Sequence, residues 1–331
     1  MKKVLVVGGG SIGERHVRCF LHNGRATVSL CEVRDDVRER LSSSYDVQAT
    51  YNSLEAALDS EFDAAVICTP AHLHVPMALQ LVKRGVHLLI EKPLSISCEG
   101  IDELLAVRDS RQLAIAVAYV FRQYPEMKAL KLSIESGKFG KPVQVVMQSG
   151  SHFPLYRPAY RETYYTQHQT GGGAIQDALT HMMNAAEWLV GPVTRLVADA
   201  EHCVLDDVTV EDTVHVLTRH NSILGSFSLN QHQMPRDSHI TVICDGGALR
   251  ADIVTNRLLV GRQPGSPWEV VSEFQLVRDD MFVEQADAFL DAVDGKTGSV
   301  CSLEDGIQTL KVNLAALRSV KLKQWVKVTD E

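Results

Sequence analysis

The sequence has no paired cysteines, no long apolar run and no basic stretch, and each absence closes a class of function. Its seven cysteines (Cys19, Cys31, Cys68, Cys98, Cys203, Cys244 and Cys301) are odd in number, scattered and never spaced C-x-x-C. Most lie in apolar runs such as LCEV and VICTP, where a reduced thiol acts as a small hydrophobe, so a disulfide scaffold is not expected. No apolar segment approaches the ~20 residues of a membrane span. The start, MKKVLVVGGG, has four apolar residues before its glycines, too few for the core of a signal peptide. Lys plus Arg number 33 against 41 Asp plus Glu, a net charge of −8, and no basic run is long enough to form a nucleic-acid patch against that field. These absences describe a reduced, cytoplasmic chain with no nucleic-acid partner and no membrane partner.

What remains is a globular composition, 45% apolar and 22% charged, spread over 331 residues. That is about twice the usual length of one domain, so two domains are expected. Apolar runs at Val4–Val7, Ala26–Glu32, Ala64–Cys68, Val86–Ile90 and Leu113–Ala118 have the uninterrupted character of parallel strands buried on both faces. Segments with helical spacing lie between them, from Ile12 to His22, Asp36 to Leu41, Leu54 to Leu58, Pro76 to Lys83 and Gly100 to Arg108. This alternation predicts an α/β domain, an open, doubly wound parallel sheet covered by helices on both sides. After about Phe121 the rhythm changes. A helix pattern fills Ala174 to Val190, strand signals dominate Thr194 to Val271, and two helices close the chain, the second after the capping box Ser302-x-x-Asp305. The expected division is 1–121 and 122–331, the second part an α+β domain on a large, mainly antiparallel open sheet.

The strand KKVLVV runs into Gly8-Gly9-Gly10-Ser11-Ile12-Gly13 and then into a helix, meeting the G-x-G-x-x-G spacing at Gly8, Gly10 and Gly13. In a dinucleotide-binding turn the first glycine makes the tight bend. The second lets backbone approach a pyrophosphate, and the third lets the helix pack on the sheet. The helix N-terminus, starting at Ser11 and Ile12, presents free N–H groups and partial positive charge to the anion. The next strand ends in Glu32, ~20 residues on, where a carboxylate accepts hydrogen bonds from a ribose diol and repels a 2′-phosphate. This favours NAD. Arg34, two residues further, has the charge to pair with that phosphate, so NADP stays open.

Two further stretches carry a resemblance. One is AAVICTPAHLHVPMALQLVKRGVHLLIEKPLS, with Thr69-Pro70, His74, Gly85 and Glu91-Lys92-Pro93; the other is GGGAIQDALTHMMNAAEWLVG, with Gly171 to Gly173, Asp177 and His181. With the glycine turn, Arg122, Pro125, SGKFGKPVQVV, the helix around Phe289 and the late AALRS, they resemble the Gfo/Idh/MocA family over nearly the whole chain. The resemblance implies an N-terminal Rossmann domain and a C-terminal domain for substrate binding and oligomerisation. It also implies an NAD(P)-dependent dehydrogenase or reductase interconverting a secondary alcohol and a ketone on a sugar, inositol or sugar derivative, as a homodimer or homotetramer. It places Thr69, Pro70, His74, Glu91 and Lys92 at the cofactor, and matches Lys92, Asp177 and His181 to the family's catalytic set.

The chemistry of these residues is consistent with that match. Oxidising an alcohol removes a hydride, which the cofactor takes, and a proton, which the protein must take. Lys92 follows the strand VHLLIE at the carboxyl edge of the sheet, where an ammonium can donate to the reacting hydroxyl. Asp177 and His181 are four apart with helical spacing and share a face, giving a proton acceptor near neutral pH and a carboxylate to orient it. Taken singly, the lysine is also an ordinary strand-end lysine, and the aspartate and histidine an ordinary intrahelical pair. Two positions depart from the family pattern, Leu179 in place of a glycine and Asn184 in place of an aspartate, and both bear on the substrate. Arg122 and, in the loop HFPLYRPAYRETYYTQHQT, Arg157, Tyr160, Arg161, Tyr164 and His168 are candidates for a polyhydroxylated or acidic ligand. The same loop also suits packing on a neighbouring subunit. His72 and His74 lack the further ligands a zinc site needs, so no metal is expected. Two other activities remain open: glycoside hydrolysis by transient oxidation, and NAD-dependent regulation without turnover.

Overall fold

The computed structural model of the chain describes residues 1–22, 24–296 and 301–329. Two compact units are built, Met1–Val120 with Val277–Ile307, and Phe121–Leu276 with the chain from Gln308 onward.

The first unit is centred on six strands, β1 (Lys2–Val7), β2 (Ala26–Cys31), β3 (Val47–Tyr51), β4 (Ala64–Ile67), β5 (His87–Ile90) and β6 (Ile115–Val117). All neighbours are parallel, in the order β3-β2-β1-β4-β5-β6. The order reverses direction at β1, so the carboxyl ends of β1 and β4 flank the switch point at which open α/β sheets bind ligands. Helices α1 (Ser11–His22), α2 (Asp35–Ser44), α3 (Leu54–Ala57), α4 (His74–Val82) and α5 (Ile101–Arg111) connect the strands. Val4, Val6, Val28, Leu30 and Val66 are fully buried beneath Val17 and Phe20 of α1, which accounts for the unbroken apolar runs.

In the second unit α6 (Pro125–Glu135) leads into β7 (Pro142–His152), and a short α7 (Phe153–Tyr156) opens the loop that follows. A π-helical turn, Ile175–Leu179, runs into α8 (Thr180–Val190). The sheet is completed by β8 (Arg195–Glu201), β9 (Thr213–His220), β10 (Ile223–Asn230), β11 (His232–Cys244), β12 (Gly247–Asp252), β13 (Arg257–Gly261), β14 (Glu269–Glu273) and β15 (Val326–Lys327). Its order is β14-β13-β12-β11-β7-β10-β9-β8-β15, antiparallel throughout except where β7 meets β10. Residues of one face, among them Val145, Met147, Val214, Val216, Phe227, Ile240 and Val242, form the core with Ile175, Leu179, Met182 and Ala186. The opposite face carries Leu217 and Leu224, both about half exposed (51% and 47%).

One expectation is corrected. Helix α9 (Asp280–Val293) was assigned with the second domain, yet Ala286, Phe289 and Leu290 pack into the first unit's core against Val17 and Phe20. The Phe20 and Phe289 rings meet edge-on at 6.4 Å. Arg25 clamps the same helix through Asp287 and Asp291, at 3.0 and 2.7 Å. The final long helix, α10 (Leu303–Leu322), starts at its capping box, Ser302 Oγ accepting from Asp305 N–H at 3.1 Å. No helix among the described residues is long and apolar enough to cross a membrane.

Candidate functional site

The glycine turn is held by features that only glycine permits. Gly8 has φ +98° and a Cβ there would stand 2.9 Å from the Cys68 carbonyl oxygen. A Cβ on Gly13 would collide with the carbonyl oxygen of Gly8. At Gly10, by contrast, nothing lies within 4 Å of a Cβ position, so this side of the turn is open. That opening lies at the first turn of α1, whose initial N–H groups have no partner within the helix. A pyrophosphate is the group such a cradle fits.

Glu32 closes the turn from below. It is 7% exposed. Its Oε2 accepts from the Gly9 N–H at 2.6 Å and its Oε1 from the Arg34 N–H at 2.9 Å, leaving lone pairs for a ribose hydroxyl. The Arg34 side chain stands outward, its Nε 3.6 Å from the same carboxylate.

The loops after β4 and β5 are joined by buried side chains. His74 is 1% exposed, with Nδ1 at 2.9 Å from the Pro93 carbonyl and Nε2 at 2.7 Å from the Thr69 carbonyl. Burial lowers its pKa, against the pull of those two carbonyls. It therefore braces the Thr69-Pro70 and Lys92-Pro93 segments from within. Glu91 is also buried. Its Oε1 lies 2.8 Å from Nε2 of His16, and its Oε2 accepts from the Lys92 N–H at 3.1 Å. Burial opposes the charge, but the hydrogen bond and charge of His16, with help from Lys92, hold the carboxyl below its ordinary value. Lys92, half-buried, is thus set at the end of β5 by an anchored neighbour on each side.

In the second unit Asp177 lies in the π-helical turn and His181 in the first turn of α8. A π turn is wider than the α spacing that the sequence suggested, and such turns are often found at functional sites. The Tyr164 hydroxyl donates to Asp177 Oδ1 at 2.8 Å. The His181 ring stacks on Phe121 at 5.1 Å. The helix start is pinned by a residue the sequence reading missed. Glu211 Oε1 accepts from the Ile175 N–H at 2.8 Å, its backbone carbonyl accepts from Ala174 at 2.9 Å, and its Oε2 meets His168 Nε2 at 2.6 Å. Gly173, at φ +86°, leaves the room for it, because a Cβ there would lie 2.7 Å from that carboxylate. The hydrogen bond to Glu211 raises the pKa of His168 above that of a free histidine.

Several expected ligand residues are instead part of the fold. Tyr160 is buried with Tyr165, Leu205, Val208 and Val210, and its hydroxyl donates to the Asp206 carbonyl at 2.9 Å. Arg161 lies over the Tyr160 ring and pairs with Asp206 and Asp207 at 3.5 and 3.3 Å. Arg122 is buried, its Nε donating to Asn184 Oδ1 at 2.9 Å with the guanidinium over Trp188. Asn184 in turn donates to Thr309 at 3.0 Å, so its departure from aspartate concerns the core. Leu179 is fully buried in the sheet-facing core, which removes it from any substrate space. Tyr164 and His168 remain beside the Asp177 helix, and Arg157 is exposed after α7. Among the described residues no group of three metal-ligating side chains is brought together.

Comparison with known proteins agrees with this architecture. The model of an oxidoreductase family with an NAD-binding Rossmann fold, GFO/IDH/MocA, matches residues 2–119, and the GFO/IDH/MocA C-terminal domain matches residues 127–250. The chain belongs to the Gfo/Idh/MocA family. It is an NAD-binding oxidoreductase of that family. The chain is 24% identical to a myo-inositol 2-dehydrogenase of Thermotoga maritima, with 99% of each covered, and 24% identical to an inositol 2-dehydrogenase of Rhizobium meliloti, with 98% of each covered. Among solved structures, a levoglucosan dehydrogenase in complex with NADH superposes with a TM-score of 0.90 at 18% identity, over 100% of both chains. The WlbA dehydrogenase of Bordetella pertussis, in complex with NADH and UDP-GlcNAcA, gives 0.85 at 21% identity, over 100% of this chain and 99% of that one. Both structures share the fold of this chain.

Proposed function

We propose that the chain interconverts a secondary alcohol and a ketone on a sugar, inositol or sugar derivative. The observation that carries this reading is the pair of half-buried side chains Asp177 and His181 on adjoining turns, with the Tyr164 hydroxyl on the aspartate, in a chain whose other unit holds a dinucleotide turn and an anchored lysine. The turn from Gly8 to Gly13 holds the pyrophosphate and Glu32 the ribose. Thr69, Pro70, His74 and Glu91 shape the loops next to Lys92. The nicotinamide, when bound, supplies the acceptor for the hydride leaving the carbinol carbon.

The residues of the chain manage the proton. His181 accepts it from the hydroxyl as general base and returns it in the reducing direction. Stacking on Phe121 fixes the imidazole plane. Asp177 orients the reacting groups, its own direction set by the Tyr164 hydroxyl. Lys92 donates a hydrogen bond to the reacting oxygen and favours its alkoxide character, an electrostatic contribution of the kind that typically supplies 10²–10³-fold in rate. The half-exposed Leu217 and Leu224 on the open face of the second sheet favour a homodimer or homotetramer built through that face.

The direct test follows reduced nicotinamide by its near-ultraviolet absorbance. Purified protein is mixed with NAD and a panel of inositols, aldoses and sugar acids, with Lys92→Ala alongside. A substrate-dependent rise that falls by about 10²-fold or more in the variant is expected. A rise that persists in the variant removes Lys92 from the mechanism, and silence across the panel with cofactor bound removes the dehydrogenase reading.

A further inference from the structure

Helix α1, which begins at the dinucleotide turn, carries His16 fully buried between Phe20 of the same helix and Phe282 of α9. The two rings lie 6.3 and 6.1 Å from the imidazole, the second edge-on. Phe282 is held in turn by the Arg15 guanidinium, 4.6 Å from its centroid, and Arg15 and Arg18 both pair with Asp279 just before α9, at 3.3 and 2.6 Å. Against these rings the imidazole makes a polar contact through Nε2, which lies 2.8 Å from Glu91 Oε1. Its Nδ1 is buried and has no hydrogen-bond partner among the described residues. A buried nitrogen left unmatched costs stability, and an apolar side chain would fill this space without that cost. The hydrogen bond to Glu91 is what sets the histidine apart from such a filler.

Glu91 has a second oxygen, and that one faces the lysine. The Glu91 N–H still follows the sheet, donating to the Ile67 carbonyl of β4 at 2.9 Å. The next N–H, that of Lys92, donates instead to Glu91 Oε2 at 3.1 Å. The two oxygens of a carboxylate move as one plane, so the bond that holds Oε1 also sets Oε2 and the peptide plane leading into Lys92. Without the imidazole, Oε1 has no donor left among the described residues, and a buried carboxylate in that position turns towards any donor or water it can reach. We propose that His16 is a positioning residue for Lys92, acting from α1 through the two oxygens of Glu91. One hydrogen-bonded chain thereby joins the helix that starts at the dinucleotide turn to the strand end that carries the lysine. Its part in turnover rests on Lys92 acting at the reacting oxygen, as proposed above.

The Lys92 backbone amide reports this chain of contacts without any substrate. Full-length protein labelled with nitrogen-15 at lysine is followed by amide-exchange NMR, the Lys92 signal being assigned by its loss in Lys92→Arg. His16→Leu and His16→Asn each remove the donor, the second because its amide is a methylene too short to reach Glu91. His16→Gln places an amide N–H where Nε2 stands. In the leucine and asparagine variants, whichever of them folds, the Lys92 amide should exchange about tenfold faster, with the other lysine amides unmoved. The glutamine variant should restore the parent rate. An unchanged Lys92 amide, or an acceleration shared by lysine amides throughout the chain, overturns the proposal. With a substrate found in the screen above, kcat should fall about tenfold in the same variants at constant KM, as a small misplacement of a reacting group does. That loss should vanish in a Lys92→Ala background. Losses that add to that of Lys92→Ala overturn the positioning role alone. If Lys92→Ala leaves turnover intact, the reading of the lysine falls, and the amide result still decides whether His16 holds its peptide.

Discussion

Glu187 in α8 has an acceptor's full complement of partners. Oε1 accepts from the Val193 N–H at 3.1 Å and from Gln308 at 2.9 Å, and Oε2 accepts from the Thr309 hydroxyl at 2.8 Å. Burial nevertheless pushes its pKa up to about 7, against those hydrogen bonds and the nearby charge of Arg122. The folded chain thus holds this proton more tightly than the unfolded chain does, and stability falls as pH rises from the ordinary carboxyl range towards 7. Glu187→Gln removes the penalty while keeping the shape. Thermal melts should show the variant about 2–4 °C more stable at pH 8 and equal to the parent at pH 4. At this scale the sequence was legible only in part. Lys92, Asp177, His181, Glu32 and the glycines stand out in the sequence as candidates because motif spacing carries them. Glu211 and His16 could not, because their partners lie 36 and 75 positions away, where no local pattern reaches.

The elements followed the sequence where burial is uniform. The five apolar runs of the first third coincide with β1, β2, β4, β5 and β6. The strand left out, β3, is the edge of that sheet, with alternating half-burial and a sequence, VQATY, too short and mixed to signal it. β7 was also missed, although it is central to the second sheet, because Pro142 and Gly150 and the polar Gln148 and Ser149 interrupt its apolar pattern. The π turn ahead of α8 reads as regular helix from its spacing alone, and the Glu211 carboxylate that docks beside it at Gly173 and Ile175 comes from far along the chain. Glu211→Ala should therefore loosen the segment that carries Asp177 and His181. A catalytic constant lower by about tenfold or more, with little change in KM, is expected from misplacing a reacting group. Glu211→Gln retains an oxygen for the Ile175 N–H and should recover most of that loss, while the pKa of His168, followed by proton NMR, falls towards the free value. If the alanine and glutamine variants both match the parent in catalytic constant, the helix start owes nothing to Glu211.

At the scale of the whole molecule, the association proposed above runs through the open face of the nine-stranded sheet. Leu217 and Leu224 lie on adjacent strands, β9 and β10, with Leu217 opposite Ser226 and Leu224 opposite Arg219 on the same face. Leu217→Arg places charge on that face. Light scattering should report a multiple of the chain mass for the parent and one chain mass for the variant; equal masses would put the interface elsewhere. The two-part organisation itself was readable from the change of rhythm near Phe121. The return of α9 was not, because its amphipathic stripe fits any apolar face and nothing local says which one it covers.

That return bears on the order in which the protein can be made. The first unit starts with Met1, but Ala286, Phe289 and Leu290, which cover Val17 and Phe20, are synthesised only after the whole of Phe121–Leu276. Chains generally fold in domains as they leave the ribosome, the N-terminal one first. Here the N-terminal sheet emerges with an apolar flank bare, and it keeps that flank bare for as long as the ribosome takes to add the next unit. During that interval the flank has no cover from its own chain, and the unit begun first is closed only when Val277–Ile307 has followed.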